Sequence, residues 1–211
     1  MYNPEQFKEC DKDKVIELIH NNPLGLFVTC INNQPVMNHY PFIYEAKNGL
    51  NGTLIGHMAK ANDQWKNLSF LENVTVIFNG PQGYVSPSWY AGAGVPTWNY
   101  ATVQLQGKPK LIETFEGLDK LLQKMTQTFE SKSLNPWEYK LTDAKKQHLL
   151  QMIVGFEIEI TQIDAKFKLS QNRPLEDQVN VIKQLSNSDD YQALDLSEFM
   201  RWFYEFSFSK K

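Results

Sequence analysis

Apolar and polar positions repeat along this chain with two periods, and the periods place its elements. Val15, Ile16, Leu18 and Ile19 share one side of a helical repeat that Asp11 or Asp13 can cap and Pro23 stops, predicting a helix over 11–22. LGLFVTCI (24–31) predicts a strand, Asn32-Asn33-Gln34 a turn, 35–44 a second strand and Lys47-Asn48-Gly49 another turn. A third strand is expected over 50–58, one or two helical turns over 62–68, and a buried strand at VTVIF (74–78). Beyond residue 100 the alternation of Ala101, Val103 and Leu105 with polar neighbours marks a strand, broken at Gly107 and Pro109 and resuming over 110–112. Thr114 caps a predicted helix to Glu130, with Leu118, Leu121, Leu122, Met125 and Phe129 on one face; a polar linker over 131–139 leads to a helix over 142–152. Val154, Phe156, Ile158 and Ile160 give the clearest strand. Pro174 opens a helix to Leu185, and a last helix starts near Ser197, whose hydroxyl can cap it. Its stripe of Phe199, Trp202, Phe203 and Phe206 reads as packing, against the barrel or a second subunit.

Six to eight short strands in hairpin order, helices at the margins and no strand–helix–strand alternation in the first half predict a mainly β (α+β) antiparallel barrel rather than a doubly wound sheet. The centre of the chain departs from both periods. GPQGYVSPSWYAGAGVPTWNY (80–100) holds Pro81, Pro87 and Pro96 among glycines and aromatics, so no long helix or regular strand is expected to cross it. Two readings stand for this stretch: a stiff loop presenting flat rings and small polar groups to a planar ligand, or a cap on one end of the barrel.

Composition narrows the function classes. The 211 residues suit one domain with a sizeable core; net charge is −3 with two arginines, a thin supply for reading nucleic acid. The two cysteines form no CxxC pair, and Cys30, in an apolar run, is expected to be buried. No secretory leader or membrane span is visible, predicting a soluble cytoplasmic protein.

Candidate chemistry is sparse. Gly92-Ala93-Gly94 leads to Pro96 and a strand, so it lacks the helix N-terminus of a dinucleotide site. The four histidines show no metal-binding spacing, although His39 and His57 fall on strands predicted to be neighbours. No G-x-S-x-G elbow occurs, and no residue stands out as a catalytic acid, base or nucleophile. The richest local set is GHMAKANDQW (56–65). His57, Lys60, Asn62 and Gln64 crowd the start of a short helix, which suits an anion such as a terminal phosphate; the alternative is a turn in which Asn62 caps the helix and Trp65 packs.

These segments together carry a resemblance. His39-Tyr40-Pro41-Phe42, Gly56-His57 through Gln64-Trp65, the GP..YVSPSWY run of 80–90, Val95 to Tyr100, Ile153 to Ile158 and Lys168-Leu169-Ser170-Gln171-Asn172-Arg173 are similar, in order, to the PaiB-type proteins. Those are known as FMN-binding negative transcriptional regulators and also as flavin reductases. The match runs from Met1 to about Met200 and leaves out the tail from Trp202 to Lys211. The resemblance implies an FMN-binding split barrel over 1–165, with helices inserted over 114–152, and a C-terminal basic segment and helices over 166–211. It implies FMN as cofactor and a homodimer with flavin at the subunit interface. The phosphate is expected at His57, Lys60, Asn62 and Gln64, and the ring near Ser86, Trp89, Thr97, Asn99, Ser170 and Gln171. Two functions follow from it: a flavin-linked repressor of genes, which would need DNA, or an oxidoreductase passing electrons from NAD(P)H to FMN or a second flavin. No helix-turn-helix signature supports the first.

Overall fold

The computed structural model describes residues 1–46 and 49–209, with side chains to Glu205, so the expected turn at Lys47-Asn48 and the side chain of Phe206 lie outside the described residues. Among the described residues eight strands form one sheet, with β1 Lys8–Glu9, β2 Leu24–Ile31, β3 Gln34–Pro41, β4 Ile43–Glu45, β5 Thr53–Ala59, β6 Val74–Val85, β7 Thr97–Ile112 and β8 Ile153–Lys168. The order is β3-β2-β6-β7-β8-β5-β4, and β1 pairs with β8. The helices that accompany it among the described residues are α1 Lys12–Asn21, α2 Phe115–Glu130, α3 Asp143–Leu150, α4 Leu175–Ser186 and α5 Tyr191–Ser209. This is the antiparallel sheet with accompanying helices expected from the strand pattern, with helix and strand in similar measure rather than mainly β.

The β2–β3 hairpin shows how sequence sets register. Asn32 and Asn33 sit at φ +51° and +63°, a left-handed pair that asparagine tolerates better than most residues and that matches the twist of a two-residue hairpin. Ile31 therefore faces Gln34, and the ladder runs back to Leu24 opposite Pro41. The second predicted strand ends early, at Pro41, and β4 begins after Phe42; the third starts at Thr53, because Gly49 and Gly52 take positive φ before it. His39 is exposed on β3 opposite Leu26 of β2, and β5 pairs instead with β4 and β8, so His39 and His57 do not lie on adjacent strands.

Four further expectations are corrected. The sheet crosses the start of the central stretch: β6 continues through Gly80, Pro81 and Gly83 to Val85 and β7 begins at Thr97, which leaves 86–96 as the loop. β7 also runs unbroken through Gly107 and Pro109; a Cβ at Gly107 would lie 2.4 Å from the Glu159 carbonyl oxygen, so glycine is what lets this strand approach its neighbour. The last helix starts at Tyr191, not near Ser197, and Ser197 is buried inside it with its hydroxyl donating to the Leu194 carbonyl (2.8 Å). Cys30, finally, is exposed. Strand β8 extends past the expected alternation to Lys168.

The chain divides into two compact units. One comprises Met1–Asn21, Asn79–Val103 and Asp164–Lys211, the other Asn22–Phe78 and Gln104–Ile163; β6, β7 and β8 contribute residues to both. The core of the second unit is aromatic. Phe27 stacks on Phe156 with centroids 5.4 Å apart, and Phe42 meets Phe27, Phe78 and Phe156 edge-on. Gly25 and Gly56 give these rings room: a Cβ at either would stand 2.8–3.0 Å from Phe78 or Phe156. In the first unit Phe199 and Phe203 of α5 pack on Phe167, while Val181, Leu185, Leu196 and Met200 are buried on α4 and α5.

Candidate functional site

The sequence groups His57, Lys60, Asn62 and Gln64; the fold of the second unit sends them to three different places. Gln64 is 3% exposed. Its Oε1 accepts from the Tyr40 hydroxyl (2.9 Å) and Asn38 Nδ2 (3.0 Å), and its Nε2 donates to Thr29 Oγ1 (3.2 Å) and the Val36 carbonyl (3.2 Å). Asn62 caps the 3-10 turn Asp63–Phe70 by accepting from the Gln64 amide (3.0 Å), and its Nδ2 donates to the Tyr40 hydroxyl (2.8 Å). The Trp65 indole donates to the Lys60 carbonyl (2.9 Å). A polar side chain buried as completely as Gln64, with its hydrogen bonds made, holds the turn in one conformation. What the turn presents outward is the exposed Lys60, which lines a cavity of about 290 Å³ with Glu113, Phe115 and Gln147.

His57 lies on β5 two residues after Ile55, on the same face of the sheet. That face meets α2. Gly155 stands opposite His57 on β8, and a Cβ there would be 2.7 Å from Leu121, so the glycine lets the helix settle on the strand. Ile43, Ile55, Leu121 and Met125 then form a closed cluster. One turn beyond Leu121, the Met125 sulfur lies 3.2 Å from His57 Nδ1. Burial pushes the His57 pKa below the ordinary 6.5, so the ring is neutral near pH 7.

The apolar stripe of α2 is wider than the cluster beneath it. Leu118, Leu121 and Met125 are buried, whereas Leu122 and Phe129 are not, and with His57, Leu24, Pro41 and Trp137 they line a cavity of about 450 Å³. Trp137 comes from the linker after α2, where its amide donates to Glu130 Oε2 (2.8 Å). Apolar walls with a few polar groups, here His57, Thr126 and Glu130, are the usual make-up of a small-molecule site. Met125, Phe129 and Trp137 carried no functional signal of their own in the sequence. Met125 and Phe129 show there only as members of the α2 stripe, whose surplus over the sheet is visible once the fold is known.

The six remaining candidates belong to the first unit, and most of their polar atoms are used inside it. Ser86 caps the turn Pro87–Trp89 through the Ser88 amide (3.3 Å), and Trp89 is half-buried there. Thr97 Oγ1 accepts from Lys168, whose ammonium also reaches the Trp98 carbonyl (2.7 Å). Asn99 is 1% exposed and pairs with Ser170 (Nδ2 to Oγ, 2.8 Å). Ser170 takes φ +69°, outside the regions comfortable for serine. Gln171 accepts from the Leu169 amide (2.7 Å) and donates to the Phe167 carbonyl. The loop itself is tied by Asp177, which accepts from the Ala91 amide (2.9 Å), and by Arg173 over the Tyr90 ring. Among the described residues no group of three His, Cys, Asp or Glu is placed to hold a metal, and no helix is long and apolar enough to cross a membrane.

Comparison with known proteins adds an independent line. A family model described as "Putative FMN-binding domain" matches residues 1–162. A Bacillus subtilis protein named Protease synthase and sporulation protein PAI 2 is 37% identical over 202 residues, spanning 95% of this chain and 96% of its own. Uncharacterized protein AN0679 of Emericella nidulans is 33% identical over 212 residues, spanning 81% and 84%. The fold recurs in solved structures. The flavocytochrome Anf3 of Azotobacter vinelandii has TM-score 0.60, 16% identity and coverage of 76% of this chain and 69% of its own. The FAD and heme binding protein of Mycobacterium smegmatis has TM-score 0.61, 14% identity and coverage of 76% and 73%.

Proposed function

The chain belongs to the FMN-binding domain family of the PaiB type, a split-barrel flavoprotein family whose cofactor is FMN, and on that premise we propose that it is a flavin-dependent oxidoreductase that seats the FMN ring in the His57 cavity. The observation that carries the seat is the apolar cavity itself, walled by Leu122, Phe129 and Trp137 with one neutral histidine. The donor set suits the group. The apolar walls take a planar ring. Lys60 stands three residues beyond His57, about 10 Å along an extended chain, a span a ribityl chain bridges. Lys60 and the second amide proton of Asn62 are the phosphate contacts in this reading; Gln64 and Tyr40 hold the turn that carries them.

When bound, FMN supplies the electron chemistry, and the protein positions it and excludes water. The absence of a conspicuous acid or base in the sequence is compatible with that division of labour. NAD(P)H as electron donor and a homodimer complete the reading. The edge strand β3, with Val36 36% and Met37 56% exposed, is the surface we assign to the second subunit.

The second reading, flavin-linked repression of transcription, draws on the relative named for protease synthesis and sporulation. The helix pair α4–α5, joined by only 187–190, has the connection length of a DNA-reading motif. Its chemistry points the other way. Residues 187–205 carry Asp189, Asp190, Asp195, Glu198 and Glu205 against Arg201, and burial, with the charge of Glu198 beside it, raises the pKa of Asp195. Such a surface repels a phosphate backbone. Anaerobic mixing of FMN-loaded protein with NADH or NADPH separates the readings. Bleaching of the flavin absorbance supports the oxidoreductase. Unbleached flavin, together with a salt-sensitive shift of DNA from the chain's own promoter region, overturns it in favour of the repressor.

A further inference from the structure

We propose that Met125 is a positioning residue for ligand choice: its thioether fixes the His57 proton on Nδ1, which leaves Nε2 as a lone-pair acceptor that selects a planar ring carrying an N–H donor. The inference rests on the flavin seat proposed above and names what reads the ring there.

The chemistry of the pair leaves little freedom. A thioether sulfur has no proton and only accepts, so across the 3.2 Å contact the imidazole must donate. Met125 is 4% exposed and packs with Ile43, Ile55 and Leu121, and this packing holds its sulfur against His57 on one wall of the cavity. A neutral imidazole holds one proton, and with that proton on Nδ1 the other nitrogen offers a lone pair. His57 lines the cavity, so this lone pair serves whatever fills it. Oxidised isoalloxazine has a single ring N–H, at N3. A ring without that donor leaves a half-buried acceptor without a partner, and sites built around a hydrogen bond discriminate strongly against analogues that lack it.

The test uses lumiflavin, which has the ring and no phosphate, and 3-methyllumiflavin, in which N3–H is replaced. Affinities for wild type, Met125→Leu and His57→Phe are read from flavin fluorescence. The histidine tautomer is read from the ring ¹⁵N shifts of His57 in ligand-free protein. Wild type should show His57 as the Nδ1–H form and bind lumiflavin at least about tenfold more tightly than the methylated ring. Met125→Leu keeps the volume and loses the acceptor, so the ¹⁵N shifts should move toward a tautomer mixture and the preference should shrink severalfold. His57→Phe should abolish the preference. Equal wild-type affinities, an Nε2–H tautomer in wild type, or a Met125→Leu variant that keeps both the tautomer and the preference would each overturn the proposal. If neither ring binds while the Nδ1–H signature stands, it is the flavin seat that has failed, and the ligand-selecting role falls with it.

Discussion

Replacing Gln64 by alanine removes two acceptor contacts and three donor contacts at once, and leaves Tyr40, Asn38 and Thr29 facing an empty, nearly buried space. Stranded polar groups of this kind make Gln64→Ala one of the costlier single changes available, about 2–4 kcal/mol, measurable as a lowered urea midpoint. Asn62→Ala should cost about 1 kcal/mol, the usual toll of a lost helix cap. His57 gives a different signature. Its folded pKa lies below the 6.5 of an exposed imidazole, so the unfolded chain takes up the proton first as pH falls. The stability it contributes is therefore complete above about pH 6.5 and declines as acid carries the chain from that value down to the lower folded pKa; His57→Phe should flatten that part of the stability–pH curve. At this scale the sequence was legible for residue type and opaque for direction. It marked Asn62 and Gln64 as donors, but whether a short amide side chain faces solvent or the interior depends on strands β2 and β3, more than twenty residues away.

Elements were legible where one local rule decides. The hairpin at Asn32-Asn33 follows from two residues that accept positive φ, and it yields a simple check: Asn33→Val should destabilise by about 1–2 kcal/mol, whereas Asn33→Gly should be neutral or slightly stabilising in thermal unfolding. Thr114 capped α2 where expected, accepting from the Gly117 amide (3.2 Å). The reading failed where tertiary contacts override a local breaker. Pro81 and Gly83 looked like the end of a strand, yet β6 passes through both, and a Cβ at Gly83 would stand 3.0 Å from Leu196 of α5. Gly107 likewise is a close approach within β7 rather than an interruption. Cys30 was misread because an eight-residue apolar run implies burial on both faces, and this end of β2 pairs only with β3.

For the whole molecule, the antiparallel sheet and the family were readable from strand spacing and from motifs spread over the chain. The His57 cavity was not, because it forms where α2 has more apolar surface than the sheet beneath it covers, and no single motif encodes that surplus. In the proposed function this surplus seats the flavin. Titrating FMN into wild type and into Leu122→Trp, with circular dichroism to confirm that both are folded, tests it directly. Saturable quenching of flavin fluorescence by wild type, lost or weakened at least about tenfold when the indole fills the cavity, is the expected result. A folded Leu122→Trp protein that binds FMN as tightly as wild type would contradict it.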